Sequence, residues 1–243
     1  MSRLPTTPER AMVLAAGLGT RMRPITDSVP KPLVEIAGKT LLDRGLDKLA
    51  EIGVEAAVVN VHHLADLIVD HVTARTNPRV VISDETDALL DSAGGIIKAL
   101  PALGRDPFLL LNADTFWVDR GAPNLAALGL AWDGSRMDIL LMLADPANAT
   151  GHSGRTDFLV AGDRTLTRSA DAAEGMIYAG AAIIHPRIFA AADAVPHSLN
   201  RYFDAAIADH RLFGMPMDGH WITVGTPDAI GEAEAALGRL GAS

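Results

Sequence analysis

The sequence predicts an α/β protein: a doubly wound, mostly parallel sheet with helices on both faces and a small mixed lobe attached to it. Three observations carry that prediction. Short apolar runs at residues 11–15, 56–59 and 108–111 have the length and continuity of strands buried on both faces. Segments with helical apolar spacing alternate with these runs, at the interval expected of strand–helix–strand units. The alternation breaks at residues 145–157, where Pro146, Gly151 and Gly154 interrupt it, and further apolar runs follow.

The elements follow in order. Residues 11–15 (AMVLA) form a strand that ends at a glycine-rich loop. Residues 41–52 place Leu42, Leu46, Leu49 and Ala50 at helical spacing, and Gly53 stops the helix. A strand at 56–59, a helix at 62–73 and a strand at 80–82 come next. A helix at 94–100, a strand at 108–111, a helix at 122–132 and a strand at 139–143 continue the alternation. Beyond the loop at 145–157, strands are expected at 158–160 and 177–184, a helix at 199–208, strands near Leu212 and Trp221, and a terminal helix at 229–240. Residues 1–10 are polar, contain proline and read as a flexible lead-in. With no linker, repeat or low-complexity tract, residues 11–243 are expected to form one domain, working as a monomer or weak dimer.

Bulk composition bounds the function. The 243 residues are 49% hydrophobic and 21% charged, enough to bury a sizeable core. No apolar run reaches membrane-spanning length, so no transmembrane helix is expected. Cysteine is absent, which excludes disulfides, thiolate metal sites and cysteine nucleophiles and fits a reducing cytoplasm. The net charge of −9, from 21 basic and 30 acidic residues, argues against nucleic-acid binding. An acidic chain that binds anionic nucleotides must concentrate positive charge locally and recruit a metal.

Three segments carry chemistry. The first is Ala15-Ala16-Gly17-Leu18-Gly19-Thr20-Arg21-Met22-Arg23-Pro24, directly after the first strand. Closely spaced glycines let backbone N–H groups approach an anion. The segment is neither a Walker A loop nor the dinucleotide fingerprint, since Met22 stands where a third glycine belongs. Gly17-x-Gly19 alone is equally a tight turn; Arg21 and Arg23 favour phosphate, which an arginine fork suits. The second segment runs from Pro24 to Leu33, where three prolines stiffen the chain and Lys31 sits between two of them. Lys31 is either a fixed point charge or a solvated surface lysine. The third is Leu109-Leu110-Leu111-Asn112-Ala113-Asp114. An aspartate at the carboxyl end of a central strand stands where open α/β sheets bind ligands. Asp114 suits magnesium, which takes one or two carboxylates and fills its shell with water and phosphate; the competing reading is a turn or helix-cap carboxylate.

Together with Trp221 and Val224-Gly225-Thr226-Pro227, these segments resemble the sugar-1-phosphate nucleotidyltransferases, over nearly the whole chain from Val13 to Pro227. The length, Leu89–Ile96 and Tyr178-Ala179-Gly180 with His185-Pro186 place it closest to the short N-acetylmuramate-1-phosphate uridylyltransferases of cell-wall recycling. The resemblance implies a Rossmann-like sheet of the GT-A-like kind with its small lobe on the sugar side, a cytoplasmic enzyme, and Mg2+ as cofactor. It implies that Ala15, Ala16, Gly17, Gly19, Thr20 and Arg21 hold the nucleotide and that Lys31 contacts phosphates at the reacting centre. Ala93 and Gly94 would line the base pocket with Glu85 nearby. Asn112 and Asp114 would sit at the sugar and the metal, and Tyr178 and Gly180 would border the hexose. Arg21, Lys31 and Asp114 thus form the expected catalytic set.

Two departures stand against the family pattern. Thr223 occupies the place of an aspartate that serves as second metal ligand, so a second carboxylate comes from elsewhere, or Asp114 with substrate phosphates suffices, or the chain is an inactive copy. Asp145-Pro146 and the residues after it differ from the uridylyltransferase loop, which bears on sugar identity. The expected reaction is in-line attack of the sugar phosphate on the α-phosphate of an NTP, UTP being favoured, with release of pyrophosphate. The attacking phosphate has its second pKa at about 6, so no general base is needed. The alternatives are a mannose-1-phosphate guanylyltransferase, a non-catalytic nucleotide-sugar sensor, and a cytidylyltransferase for a non-sugar alcohol phosphate. His62 and His63 get no role, His152 and His185 stay unassigned, and Trp117, Trp132 and Trp221 are read as packing.

Overall fold

The computed structural model describes residues 7–169 and 174–242. In chain order the elements are β1 (Arg10–Leu14), β2 (Glu35–Ile36), β3 (Lys39–Thr40), α1 (Leu41–Glu51), β4 (Ala56–Val61), α2 (Ala65–Val72), β5 (Arg79–Asp84), α3 (Asp91–Leu103), β6 (Phe108–Asn112) and β7 (Thr115–Asp119). There follow α4 (Asn124–Ala131), β8 (Ile139–Ala144), β9 (Ala149–Thr150), β10 (Phe158–Val160), β11 (Leu166–Arg168), β12 (Ile177–Ile184), α5 (Asn200–Ala208), β13 (Leu212–Pro216), β14 (Gly219–Thr223) and α6 (Asp228–Leu240).

Seven strands form the main sheet in the order β13-β8-β12-β6-β1-β4-β5. All neighbours run parallel except β12, which is antiparallel to both β6 and β8. The mostly parallel sheet agrees with the sequence prediction. Strand alternation divides the side chains between two cores. Ala11, Val13, Leu109, Leu111, Ala181 and Ile183 point to one face, where α1 contributes Leu42, Leu46 and Leu49. Met12, Phe108, Leu110, Ala182 and Ile184 point to the other, against Ala93, Ile96 and Ile97 of α3. Helix α1 starts where it does because the Thr40 side chain accepts the Asp43 N–H at 3.0 Å.

The small mixed part is the sheet β7-β14-β9; the β10–β11 hairpin lies against β13, to which Thr165 bridges at Phe213. A third core, built on Met22, Ile36, Phe116, Ile222 and Val224 with Ala233 and Leu237 of α6, backs that sheet. It locks the loop after β1 against β14, elements 200 residues apart in sequence.

Some elements differ from the sequence reading. The helix expected at 62–73 starts at Ala65, leaving His62 and His63 in the connection after β4. The loop at 145–157 contains the short strand β9, which pairs with β14. Strand β7 was not anticipated: no element was expected between the strand at 108–111 and the helix at 122–132. Of the lead-in, residues 1–6 lie outside the described residues. The rest is attached rather than free: Thr7 is buried, the Glu9 carbonyl accepts the Glu55 N–H at 2.9 Å, and Arg10 already belongs to β1.

Truncating the core and truncating the surface should separate cleanly. Leu110→Ala, in the middle of β6 and fully buried, is expected to lower unfolding stability by about 2–5 kcal/mol in denaturant titration. Leu130→Ala, on the exposed face of α4, is expected to stay within about 0.5 kcal/mol.

Candidate active site

Strand order reverses at β1: the chain moves outward through β4 and β5, then returns to place β6 on the other side of β1. Such a reversal opens a crevice at the carboxyl ends of the two strands. Leu14 lies opposite Asn112, and the Ala113 N–H donates to the Leu14 carbonyl at 3.1 Å. The glycine-rich loop and the turn holding Asp114 therefore leave the sheet side by side. Between them lies a cleft of about 340 Å³, within the roughly 300–1,000 Å³ of small-molecule sites. Ala15, Ala16 and Gly17 form one wall, and Leu89, Asp91 and Ser92 the other. Asn60 and Glu85 make the buried floor, and Lys31, Asn112 and Asp114 complete the lining.

The Lys31 ammonium donates to Asp114 Oδ2 at 2.8 Å, with the lysine side chain 12% exposed and the aspartate 38%. Lys31 begins a single 3-10 turn, Lys31–Leu33, between an extended Pro30 and Pro32. The prolines remove backbone freedom, so this lysine is a fixed charge and not a solvated surface group. Asp114 is held from behind as well: its carbonyl accepts the Val224 N–H at 3.1 Å. That bond brings the Trp221–Thr226 block beside it, with Thr223 opposite Thr115 in the β14–β7 ladder.

No group of three or more His, Asp or Glu side chains that could hold a metal occurs among the described residues. A single partly exposed carboxylate does not make a preformed cage. It does fit a magnesium ion that arrives with a triphosphate and keeps phosphate and water oxygens in most positions.

The two glycines of the loop serve different ends. Gly19 has φ +62°, and a Cβ there would lie 2.9 Å from Thr26 Cγ2. The Thr26 hydroxyl donates to the Gly19 carbonyl at 2.9 Å, so this residue shapes the loop from within. At Gly17 a Cβ would meet nothing within 4 Å, and the residue faces the cleft. Arg21 is exposed, its guanidinium beside Gly225, with no hydrogen bond or ion pair to any described residue. Arg23 instead pairs with Asp27 at 3.3 Å on the open surface.

Residues 11–142, more than half of the chain, match the MobA-like NTP transferase domain. The chain belongs to that family. It is 44% identical over 236 residues to the N-acetylmuramate alpha-1-phosphate uridylyltransferase of Caulobacter vibrioides, covering 95% of this chain and 97% of the relative. The uridylyltransferase of the same name from Neisseria meningitidis is 32% identical, covering 94% and 98%. Among solved structures, HddC from Yersinia pseudotuberculosis complexed with GMP-PN superposes with a TM-score of 0.73 at 21% identity, covering 94% of this chain and 99% of that one. The chain is a sugar-1-phosphate nucleotidyltransferase of GT-A-like fold.

On the base side this transferase departs from the residue-by-residue expectation. Ala93 and Gly94 stand behind the cleft wall rather than in it. The Ala93 N–H is taken by the His197 carbonyl at 3.1 Å, and a Cβ on Gly94 would lie 2.4 Å from the Val195 carbonyl. The small residues thus let the segment around residue 195 pack on α3, and Leu89, Asp91 and Ser92 face the cleft instead. Glu85, fully buried, accepts from Asn60 Nδ2 at 2.7 Å and from the Leu90 N–H at 3.1 Å. Asn60 escaped the sequence reading because it sits inside an otherwise apolar strand; a polar residue in such a run was the available signal.

On the other side, Asn112 lines the cleft and Gly180 lies directly behind it. Gly180 has φ +77° in a bulge of β12, where a Cβ would come within 2.4 Å of Thr115 Oγ1 and 3.2 Å of Asn112 Cβ. The Tyr178 hydroxyl is buried without a hydrogen-bond partner, and its ring meets Phe203 edge-on at 5.7 Å. Burial, then the carboxylates of Asp114 and Asp157, push its pKa far above the usual phenol value. Tyr178 is therefore a neutral group beside the two acids, not a base. Asp157 also accepts the Tyr178 N–H at 2.8 Å, and it was not among the expected residues.

The histidines find structural partners. His62 Nδ1 lies 2.6 Å from the Glu85 carbonyl and His63 Nε2 lies 2.8 Å from the Thr26 carbonyl. His152 meets the Trp221 ring edge at 5.9 Å, and His185 accepts the Arg187 N–H at 3.2 Å. Burial and Arg187 lower the His185 pKa, which keeps it in the neutral form that accepts. Trp117 and Trp221 are buried as expected, Trp221 donating to the Ala179 carbonyl at 2.9 Å.

Two alanine substitutions distinguish the glycine roles. Gly17→Ala is expected to keep the wild-type melting temperature and raise the KM for NTP by about tenfold or more, since its methyl group enters space a phosphate would use. Gly19→Ala is expected to lower the melting temperature itself, because it is strained at positive φ and strikes Thr26.

Proposed function

We propose that this transferase joins UTP to N-acetylmuramate 1-phosphate, forming UDP-N-acetylmuramate and pyrophosphate. The observation that carries the reaction chemistry is the Lys31–Asp114 pair at 2.8 Å on the lining of a cleft walled by the glycine-rich loop. The identity of 44% along nearly the whole chain supports the choice of substrates. We further read residues 11–243 as one domain, acting as a monomer or weak dimer in the cytoplasm.

The reaction joins two anions. An oxygen of the sugar phosphate attacks the α-phosphorus of UTP; the bond from that phosphorus to the bridging oxygen breaks, and pyrophosphate leaves with the electron pair. The second pKa of the sugar phosphate, about 6, leaves the attacking oxygen already deprotonated near neutral pH. No side chain has to remove a proton. The work of the protein is to hold two phosphates in line and offset their repulsion.

Lys31 is the fixed charge for that purpose, its stem held by the two prolines. Arg21, exposed and unpaired among the described residues, with its guanidinium beside Gly225, is the cation free to close on the triphosphate. The backbone from Ala15 to Thr20 offers N–H groups to phosphate oxygens, with Gly17 leaving room for their approach. Asp114 is the residue that would hold Mg2+ together with the triphosphate, and the ion would add positive charge against the same repulsion. Thr223 can add only a neutral oxygen beside it. Asn112, backed by Gly180 and Tyr178, borders the sugar.

Pyrophosphate release measured with each of four NTPs against the 1-phosphates of N-acetylmuramate, mannose, glucose and heptose tests the reading. UTP with N-acetylmuramate 1-phosphate is expected to give the highest kcat/KM; highest turnover with GTP and mannose 1-phosphate, or none with any pair, would contradict it. Lys31→Ala and Arg21→Ala are expected to lower kcat by about 10²–10³. Asp114→Asn is expected to remove magnesium-dependent turnover altogether.

A further inference from the structure

We infer that Asn60 is a positioning residue for the nucleotide, acting through Glu85 to set the spacing between the two walls of the cleft. The inference rests on the nucleotide reading of that cleft. Asn60 is 3% exposed and stands at the carboxyl end of β4, directly under the cleft. Its side-chain oxygen accepts the Ala15 N–H at 2.7 Å, and its side-chain nitrogen donates to Glu85 Oε1 at 2.7 Å. Glu85 Oε2 accepts the Leu90 N–H at 3.1 Å. One continuous chain of hydrogen bonds therefore runs from the first residue of the glycine-rich loop to the wall formed by Leu89, Asp91 and Ser92.

The polarity of this chain is fixed. Ala15 and Leu90 offer only N–H donors, so the outer ends of the pair must both accept. A carboxylate accepts only, and an amide both donates and accepts. An amide on one side and a carboxylate on the other is the combination that makes all three bonds. The amide also cannot turn over, because its nitrogen would then face the Ala15 N–H and its oxygen the Glu85 carboxylate.

The same requirement would be met with the two roles exchanged: a carboxylate at 60 and an amide at 85. Space is tight around the pair. A Cβ on Gly95 would lie 2.6 Å from Glu85 Oε1 and 2.8 Å from Asn60 Nδ2. Neither side chain has room to shift toward α3 when a bond is lost. A change in polarity must then be transmitted to the backbone at Ala15 or Leu90, and so to the width of the slot. Asn60 touches no reacting atom; its effect reaches the nucleotide through the two walls.

The test is equilibrium binding of UTP in the presence of magnesium, with steady-state KM values for both substrates, on the wild type, Asn60→Asp, and the double variant Asn60→Asp with Glu85→Gln. Asn60→Asp sets two carboxylates within 2.7 Å and breaks the chain. It is expected to weaken UTP binding by about tenfold or more while leaving the KM for the sugar phosphate within twofold. The double variant restores every bond with reversed polarity and is expected to return UTP affinity to within about threefold of wild type. If Asn60→Asp does not fold, recovery of fold and UTP affinity in the double variant still supports the inference. Equal UTP affinity in Asn60→Asp, a parallel loss for both substrates, or a double variant as impaired as the single one would overturn it. A wild-type chain that binds no nucleotide would instead overturn the functional reading itself.

Discussion

Two multiply charged phosphates have to meet at a chain whose own net charge is −9, and in the proposed site the cation that serves this is a lysine held by an aspartate. The Lys31–Asp114 ion pair joins residues 83 positions apart, and most of the architecture near the cleft serves to set it. The order reversal at β1 brings the two loops to the same sheet edge. Prolines on either side fix the lysine stem, and the Val224 N–H fixes the backbone of the aspartate. The third core, running from Met22 to Val224 and α6, clamps both loops to one body. A surface ion pair of this kind would contribute little to stability. Here its value lies in placing opposite charges where a polyanion can exchange partners with them.

The cleft is asymmetric in a way that suits its chemistry. Its lysine, Lys31, is paired with Asp114 on the lining, while its floor is the uncharged amide of Asn60 and the fully buried Glu85. A buried carboxylate there is tolerable because two N–H groups point at it. In the proposed function the phosphates meet backbone N–H groups and the fixed charge of Lys31, and the base enters the slot floored by Asn60 and Glu85. The attacking oxygen of the proposed reaction arrives ionised, so no group in the site has to move a proton, and the neutral Tyr178 is consistent with that economy.

Much of this was legible in the sequence. The alternation of apolar runs and helical spacing gave the mostly parallel sheet, and Gly17, the proline-flanked Lys31 and strand-end Asp114 line one cleft, while Gly19 shapes the loop behind it. What could not be read were features that depend on a third dimension. Gly94 looked like a pocket residue, yet its missing side chain admits the Val195 carbonyl from behind. His62 and His63 were expected to begin a helix; they remain in a connection and hold the carbonyls of Glu85 and Thr26. Asn60 was lost in an apolar run, because only the return of the chain at Glu85 makes it half of a pair. Arg23, legible as part of an arginine fork, is turned to Asp27.

In the proposed reaction the protein contributes charge and position and no nucleophile, so that nucleotidyl transfer is a single in-line displacement. The configuration at the α-phosphorus decides this most directly. With a single diastereomer of α-thio-UTP as donor, the account predicts a nucleotide sugar with inverted configuration at that phosphorus. Retention would require two displacements through a covalent nucleotidyl–protein intermediate and would contradict it.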